Sequence, residues 1–178
     1  MASHAERNAP FIFWCVKKIW GDQSSYQVNK PEDINKTPNN QSGMYIFYLD
    51  SGVHQYPIYV GITGRNFRQR FKEHHDNQTG VIYKCNNGEF PKNQPPVRLP
   101  LIALVVPIHY PMQSKLMESV FLEAFDFCLN TEENGNIRLI VDTDQQFKPE
   151  DSKHNFDITF GNVMKEIQDV YNRYDKRS

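Results

Sequence analysis

The chain has 178 residues, 39% of them apolar and 13% aromatic, with 20 Lys+Arg against 21 Asp+Glu for a formal net charge of -1. That length suits one catalytic core with extensions rather than two full domains, and the charge balance excludes a uniformly basic nucleic-acid coat. Cys15, Cys85 and Cys128 lie far apart with no CxxC spacing, which argues for a reducing compartment and against a zinc site or a disulfide framework.

The longest apolar run, residues 11–16, is interrupted by Lys17-Lys18 and falls far short of the roughly 20 residues of a membrane span. Its flanks carry no signal-peptide pattern. The expectation is a soluble protein without a membrane partner, cytoplasmic, or nuclear in a eukaryote. Residues 1–41 read as an N-terminal surface extension, with turn-prone clusters at Asn29-Lys30-Pro31 and Thr37-Pro38-Asn39-Asn40.

From Gly43 the character changes. Residues 44–49 and 58–60 are two β-rich runs around the turn signal Asp50-Ser51-Gly52, and together they predict a hairpin. Symmetry about Gly52 would set Tyr45 opposite Tyr59, both rings on one face. Asn66 is placed to cap a helix from Phe67 to about His75, with Phe67 and Phe71 on its buried side. Residues 76–100, rich in Gly, Asn and Pro, read as a long loop insertion. The unbroken apolar run 101–106 predicts a buried central strand. Met117, Phe121, Ala124, Phe125 and Cys128 recur at helical spacing, which predicts a helix over about 113–127. Residues 131–178 form a C-terminal extension, with a short strand candidate at 137–141. Its last amphipathic helix shows Val163, Ile167, Val170, Tyr171 and Tyr174 on one face. The expected fold class is α+β: a small mixed or antiparallel sheet opened by a hairpin and flanked by helices.

Charge is distributed unevenly. Between residues 65 and 98 stand seven basic residues, Arg65, Arg68, Arg70, Lys72, Lys84, Lys92 and Arg98, against three acidic ones, whereas residues 131–178 hold seven basic and ten acidic. A basic middle beside an acidic tail is an electrostatic footprint for a phosphate backbone. Arg65, Arg68, Lys72, Lys84, Lys92 and Arg98 are the expected DNA contacts.

Arg70 and His74 are four residues apart and share a helix face. A permanently charged fork suits a phosphate, and a histidine one turn away can move a proton. Two tyrosines on the hairpin face can orient a water. Glu118 stands near the start of an apolar helix, and a single carboxylate with several waters is a common way to hold Mg²⁺. Glu123 is its competitor, but five residues correspond to about 500°, so the two point roughly 140° apart and cannot serve one site. Taken singly, strand tyrosines are usually packing residues and a helical Glu is usually solvated surface.

In this order, Gly43-Met44-Tyr45, Tyr59-Val60-Gly61, Arg70 with His74, Glu118 and Asn130 resemble the GIY-YIG nuclease family over residues 42–130. Glu118 to Asn130 spans twelve residues, as in the excision-repair and restriction branches, which favours Glu118 over Glu123. The spacing of fourteen from Tyr45 to Tyr59 is longer than usual for the family.

The resemblance implies a DNA endonuclease dependent on Mg²⁺ or Mn²⁺, of the restriction or the phage and mobile-element type. Glu118 would hold the metal, Arg70 neutralise phosphoryl charge, Tyr45 or Tyr59 activate water, His74 assist the proton transfer, and Asn130 order the site. The alternatives are a repair or structure-selective nuclease and a non-cleaving nucleic-acid-binding module. A cutter of palindromic DNA would be a homodimer by symmetry. The N-terminal aromatic run and the last helix are the candidate surfaces for it.

Overall fold

Eight elements follow one another in a computed structural model that describes residues 12, 13, 16, 17, 23–52, 55–88, 99–124, 127, 129 and 130. They are β1 (Ser24–Gln27), α1 (Pro31–Ile34), β2 (Gly43–Asp50), β3 (Gln55–Thr63), α2 (Phe67–Asp76), α3 (Val81–Asn86), β4 (Leu101–Pro107) and α4 (Pro111–Ala124). The chain divides into compact units over residues 1–141 and 142–178, and every described residue belongs to the first. The strand candidate at 137–141 and the last amphipathic helix lie outside the described residues.

The sheet is antiparallel throughout, in the order β1-β4-β2-β3. The class is α+β, as the sequence predicts. β2 is interior, and Met44 through Tyr48 are all buried, as expected for a strand covered on both faces. Tyr45 and Phe47 belong to the cluster that also takes in Phe67 and Phe71 of α2 and Val81 and Ile82 of α3. Met44 and Ile46 alternate to the opposite face. α4 packs against β2 and β3, with Met117, Phe121 and Leu122 buried.

The hairpin register differs from the symmetric expectation. Tyr45 pairs with Gly61, and Tyr59 pairs with Phe47. The closing pair is Asp50 with Gln55, which places the turn later than Gly52, and a bulge between Phe47 and Tyr48 adds a further residue on β3 beside Pro57. Proline cannot donate to the ladder and is at home at such an irregularity. The total displacement from symmetry is two residues. An even shift preserves the face, so both tyrosines still point to the α2 side.

α2 starts where Asn66 predicts it: the Asn66 side chain accepts the Gln69 N–H at 2.8 Å, a cap worth about 1 kcal/mol. Phe67 and Phe71, one turn apart, are fully buried. Truncating either to Ala would cost roughly 3–5 kcal/mol.

Two segments are more structured than their sequences suggest. Ser24 to Gln27, assigned to a surface extension, pair with β4 from Val105 to Ile102, and the following Val28, Ile34 and Thr37 are buried. A short, polar edge strand contributes backbone hydrogen bonds and leaves little side-chain pattern to read. Within the expected loop insertion 76–100, Val81 to Asn86 form α3, with Val81 and Ile82 in the core. Six residues are too few to show helical periodicity. α4 begins two residues earlier than predicted, with Pro111 in its first turn, where the missing N–H costs nothing. In the N-terminal aromatic run, Ile12 and Val16 are buried and Phe13 meets the Tyr48 ring edge-on at 5.0 Å. These residues pack on the core.

Candidate active site

Gly61 makes room for both tyrosines. A methyl carbon in place of its hydrogen would lie 2.7 Å from the Tyr45 hydroxyl oxygen and 2.7 Å from the Tyr59 ring. This contact explains the glycine that ends Tyr59-Val60-Gly61. The two rings sit 6.1 Å apart between centroids, with Phe71 5.2 Å from Tyr45 and His74 5.5 Å from Tyr59.

Tyr45, Arg70 and His74 form one hydrogen-bonded unit. Arg70 Nε donates to the Tyr45 oxygen at 3.2 Å, and His74 Nε2 lies 2.8 Å from the same oxygen. The other histidine nitrogen, Nδ1, accepts the backbone N–H of Val81 at 3.3 Å. A neutral imidazole nitrogen that accepts carries no hydrogen, so Nε2 carries it and donates to Tyr45. Gly80 permits this arrangement. A methyl carbon there would sit 2.7 Å from His74 Cα, so only glycine lets the start of α3 close on α2.

Burial makes His74 a neutral donor rather than a proton carrier. Burial, with the Arg70 charge adding to it, lowers its pKa to about 3. In this arrangement His74 serves the Tyr45 oxygen as a donor, whereas the resemblance implies a part in proton transfer. The sign of its linkage to stability follows: the unfolded histidine binds a proton near pH 6.5 and the folded one does not, so stability is complete above that pH and falls as the pH drops towards 3. The expected slope is about 1.4 kcal/mol per pH unit. Urea unfolding of the native chain and His74→Gln should show it: the variant is less stable at about pH 8 but loses less stability on going to about pH 5.5.

The same environment separates the tyrosines. Tyr45 is fully buried, and burial, together with the neighbouring Tyr59, raises its pKa despite the Arg70 cation. Tyr59 is half-buried and lines a cleft of about 320 Å³ with Arg70, Glu73 and His74 of α2, Val81 and Lys84 of α3, and Leu129. Burial works against the Arg70 charge, but Tyr45, Glu73 and Tyr59 outweigh it and raise its pKa. Arg70 is therefore electrostatically tied to both tyrosines.

The expected DNA contacts disperse. Lys84 enters the cleft from α3, and Lys72 is exposed on an adjoining open groove. Arg65 is exposed and donates to Glu73 at 2.6 Å. Arg68 Nε and Nη2 both donate to the Thr37 carbonyl, at 3.1 and 2.8 Å, and so tie α2 to the turn after α1. Lys92 and Arg98 lie outside the described residues.

Asn130 braces β3. Its Oδ1 accepts the Val60 N–H and its Nδ2 donates to the Val60 carbonyl, both at 2.9 Å, while Leu129 N–H bonds the Ile58 carbonyl at 2.9 Å. The side-chain amide thus pairs with both the N–H and the C=O of one residue, as a neighbouring strand would, and fixes the stretch that carries Tyr59.

Glu118, on α4, is half-buried, and its charge acts on the Tyr45 hydroxyl. Among the described residues no three His, Cys, Asp or Glu side chains gather as a closed metal cage. Glu118 does not line the cleft, whose one carboxylate among the described residues is Glu73; a lone carboxylate such as Glu118 suits Mg²⁺ or Mn²⁺, which take oxygen ligands, Mg²⁺ typically keeping several waters and sharing substrate oxygens. The side chain of Glu123 is outside the described residues.

Sequence reasoning missed Glu73, Gly80 and the Val81 N–H. Glu73 was visible only as a charge, although its i,i+3 spacing from Arg70 is a helix-pairing signal. Gly80 and Val81 act through backbone, which leaves no side-chain motif. In comparison with known proteins, the chain matches no family model, no curated protein and no solved structure. Its own residues therefore carry the functional argument.

Proposed function

We propose that this chain is a divalent-metal-dependent endonuclease that hydrolyses DNA phosphodiester bonds in the manner of the GIY-YIG nucleases it resembles, of the restriction or the phage and mobile-element type. The observation that carries this reading is the Arg70–Tyr45–His74 unit, which borders a cleft shared by Tyr59 and Lys84. Residues separated in sequence by up to 29 positions meet there through hydrogen bonds. A buried phenol oxygen needs a partner in any core, and what supports a catalytic reading is that one of its two partners, Arg70, also lines the cleft.

Each residue then has a task. Arg70 spends Nε on Tyr45, and the terminal nitrogens of the fork meet a phosphoryl oxygen. In the transition state that oxygen gains charge, and a fixed guanidinium stabilises it without reorganisation. Tyr59, the tyrosine of the cleft, orients the attacking water and takes its proton. An unperturbed tyrosine has a pKa near 10, so Arg70 beside it is what favours the phenolate. Tyr45 is a positioning residue: it holds Arg70 at the cleft and is itself held by His74. Asn130 keeps Tyr59 in register. A divalent cation at Glu118 would supply Lewis-acid stabilisation of the phosphoryl and leaving oxygens.

The experiment that tests this function is incubation of DNA with purified protein and Mg²⁺. Discrete fragments are expected from a sequence-specific cutter and a smear from an unspecific one. DNA left intact would favour the non-cleaving module.

A further inference from the structure

Glu73 lines the cleft and bridges two arginines. Its Oε1 accepts from Arg65 Nη1 at 2.6 Å and its Oε2 from Arg70 Nη1 at 3.0 Å. A carboxylate and a phosphodiester present the same motif to a guanidinium, a pair of oxygens sharing negative charge. Arg70, which lines the cleft, and Arg65, on the same carboxylate, are thus already engaged by an anion belonging to the protein. Lys84, on the opposite wall, has no carboxylate partner among the described residues.

We infer that Glu73 is an internal stand-in for the substrate phosphate, bridging Arg65 and Arg70 in the free protein and giving way when a phosphate enters. The inference rests on the nuclease reading above and deepens it by naming the group that DNA must displace. Three features make the exchange feasible. The pairs are exposed, with 37% of the Glu73 and Arg70 side chains and 66% of the Arg65 side chain accessible, and ion pairs in such surroundings hold weakly. Glu73 also borders the open groove on the other side, which Gln69, Lys72 and Asn77 line, so the released carboxylate has a hydrated place and a second cation to turn to. Lys84 offers an incoming phosphate its first hold while the arginines are still occupied. The consequence is selectivity: weakly bound polyanions meet a cleft whose charge is masked, and only a phosphate seated on Lys84 unmasks it.

The test compares the native chain with Glu73→Gln and Asp76→Asn, two variants that change net charge equally on one helix. Fluorescence anisotropy with a labelled DNA duplex in EDTA gives affinity over a series of salt concentrations. Glu73→Gln is expected to bind about 5–10-fold more tightly than Asp76→Asn, with a salt slope steeper by about one unit because an arginine has been released to phosphate. Equal affinities for the two variants, or weaker binding by Glu73→Gln, would overturn the inference. Native protein that neither binds nor cleaves DNA would reject the nuclease reading and this inference with it. Native protein that binds and cleaves, with the two variants alike, would reject this inference alone.

Discussion

Glu118→Gln is expected to lower the cleavage rate by about 10³-fold or more while leaving DNA affinity within about threefold of the native value. The magnitude follows from the task assigned to the residue. A cation at the phosphoryl group supplies several kcal/mol of transition-state stabilisation, and about 4 kcal/mol corresponds to a thousandfold in rate. Glutamine keeps the size of the side chain and loses the charge that would hold a metal. Binding survives because Lys84 and Arg70, not Glu118, face the cleft. Single-turnover cleavage and anisotropy on one preparation separate the two effects. Undiminished cleavage would move the metal to another carboxylate, Glu123 first, or reject the metal mechanism.

The two tyrosines should fail in different ways. Tyr59→Phe removes a half-buried hydroxyl that lines the cleft, so folding stability should fall less than in Tyr45→Phe. Cleavage should fall by about 10²–10⁴-fold, the range for loss of a general base, and the rise in rate with pH should disappear. Tyr45→Phe acts through the fold. It strips Arg70 Nε and the His74 Nε2–H of their common acceptor. With His74 buried, an orphaned donor costs about 1–3 kcal/mol. Activity should drop because Arg70 is no longer held, yet the pH profile should keep its shape. A lost alkaline limb in Tyr45→Phe, with a native profile in Tyr59→Phe, would reverse the assignment.

Strong side-chain patterns carried most of the fold into the sequence. The hairpin, the buried strand β4, the Asn66 cap and the apolar face of α2 were legible because burial leaves period-two or helical signatures. β1 and α3 were not, since one is a polar edge strand bound through its backbone and the other is shorter than two helical repeats. The register error was harmless to the face but not to the pairing, because a turn offset and a bulge happened to sum to an even number.

The site divides along the same line. Tyr45, Tyr59, Arg70, His74 and Asn130 could be picked out by residue type and order, and hydrogen bonds or shared surroundings bring them together. Their tasks needed coordinates. Burial and the bonds to Arg70 and His74 set Tyr45 apart from Tyr59, the Val81 N–H fixes the tautomer of His74, and the Thr37 carbonyl accounts for two donors of Arg68.

The central claim is that the cleft of Tyr59, Arg70 and Lys84 hydrolyses DNA with a divalent metal. Its most direct test is supercoiled plasmid incubated with the purified native chain in Mg²⁺ and, in parallel, in EDTA. The account predicts nicked or linear DNA with Mg²⁺ and unchanged plasmid in EDTA. Plasmid that stays supercoiled in Mg²⁺ and in Mn²⁺, or that is cut equally well in EDTA, would contradict it.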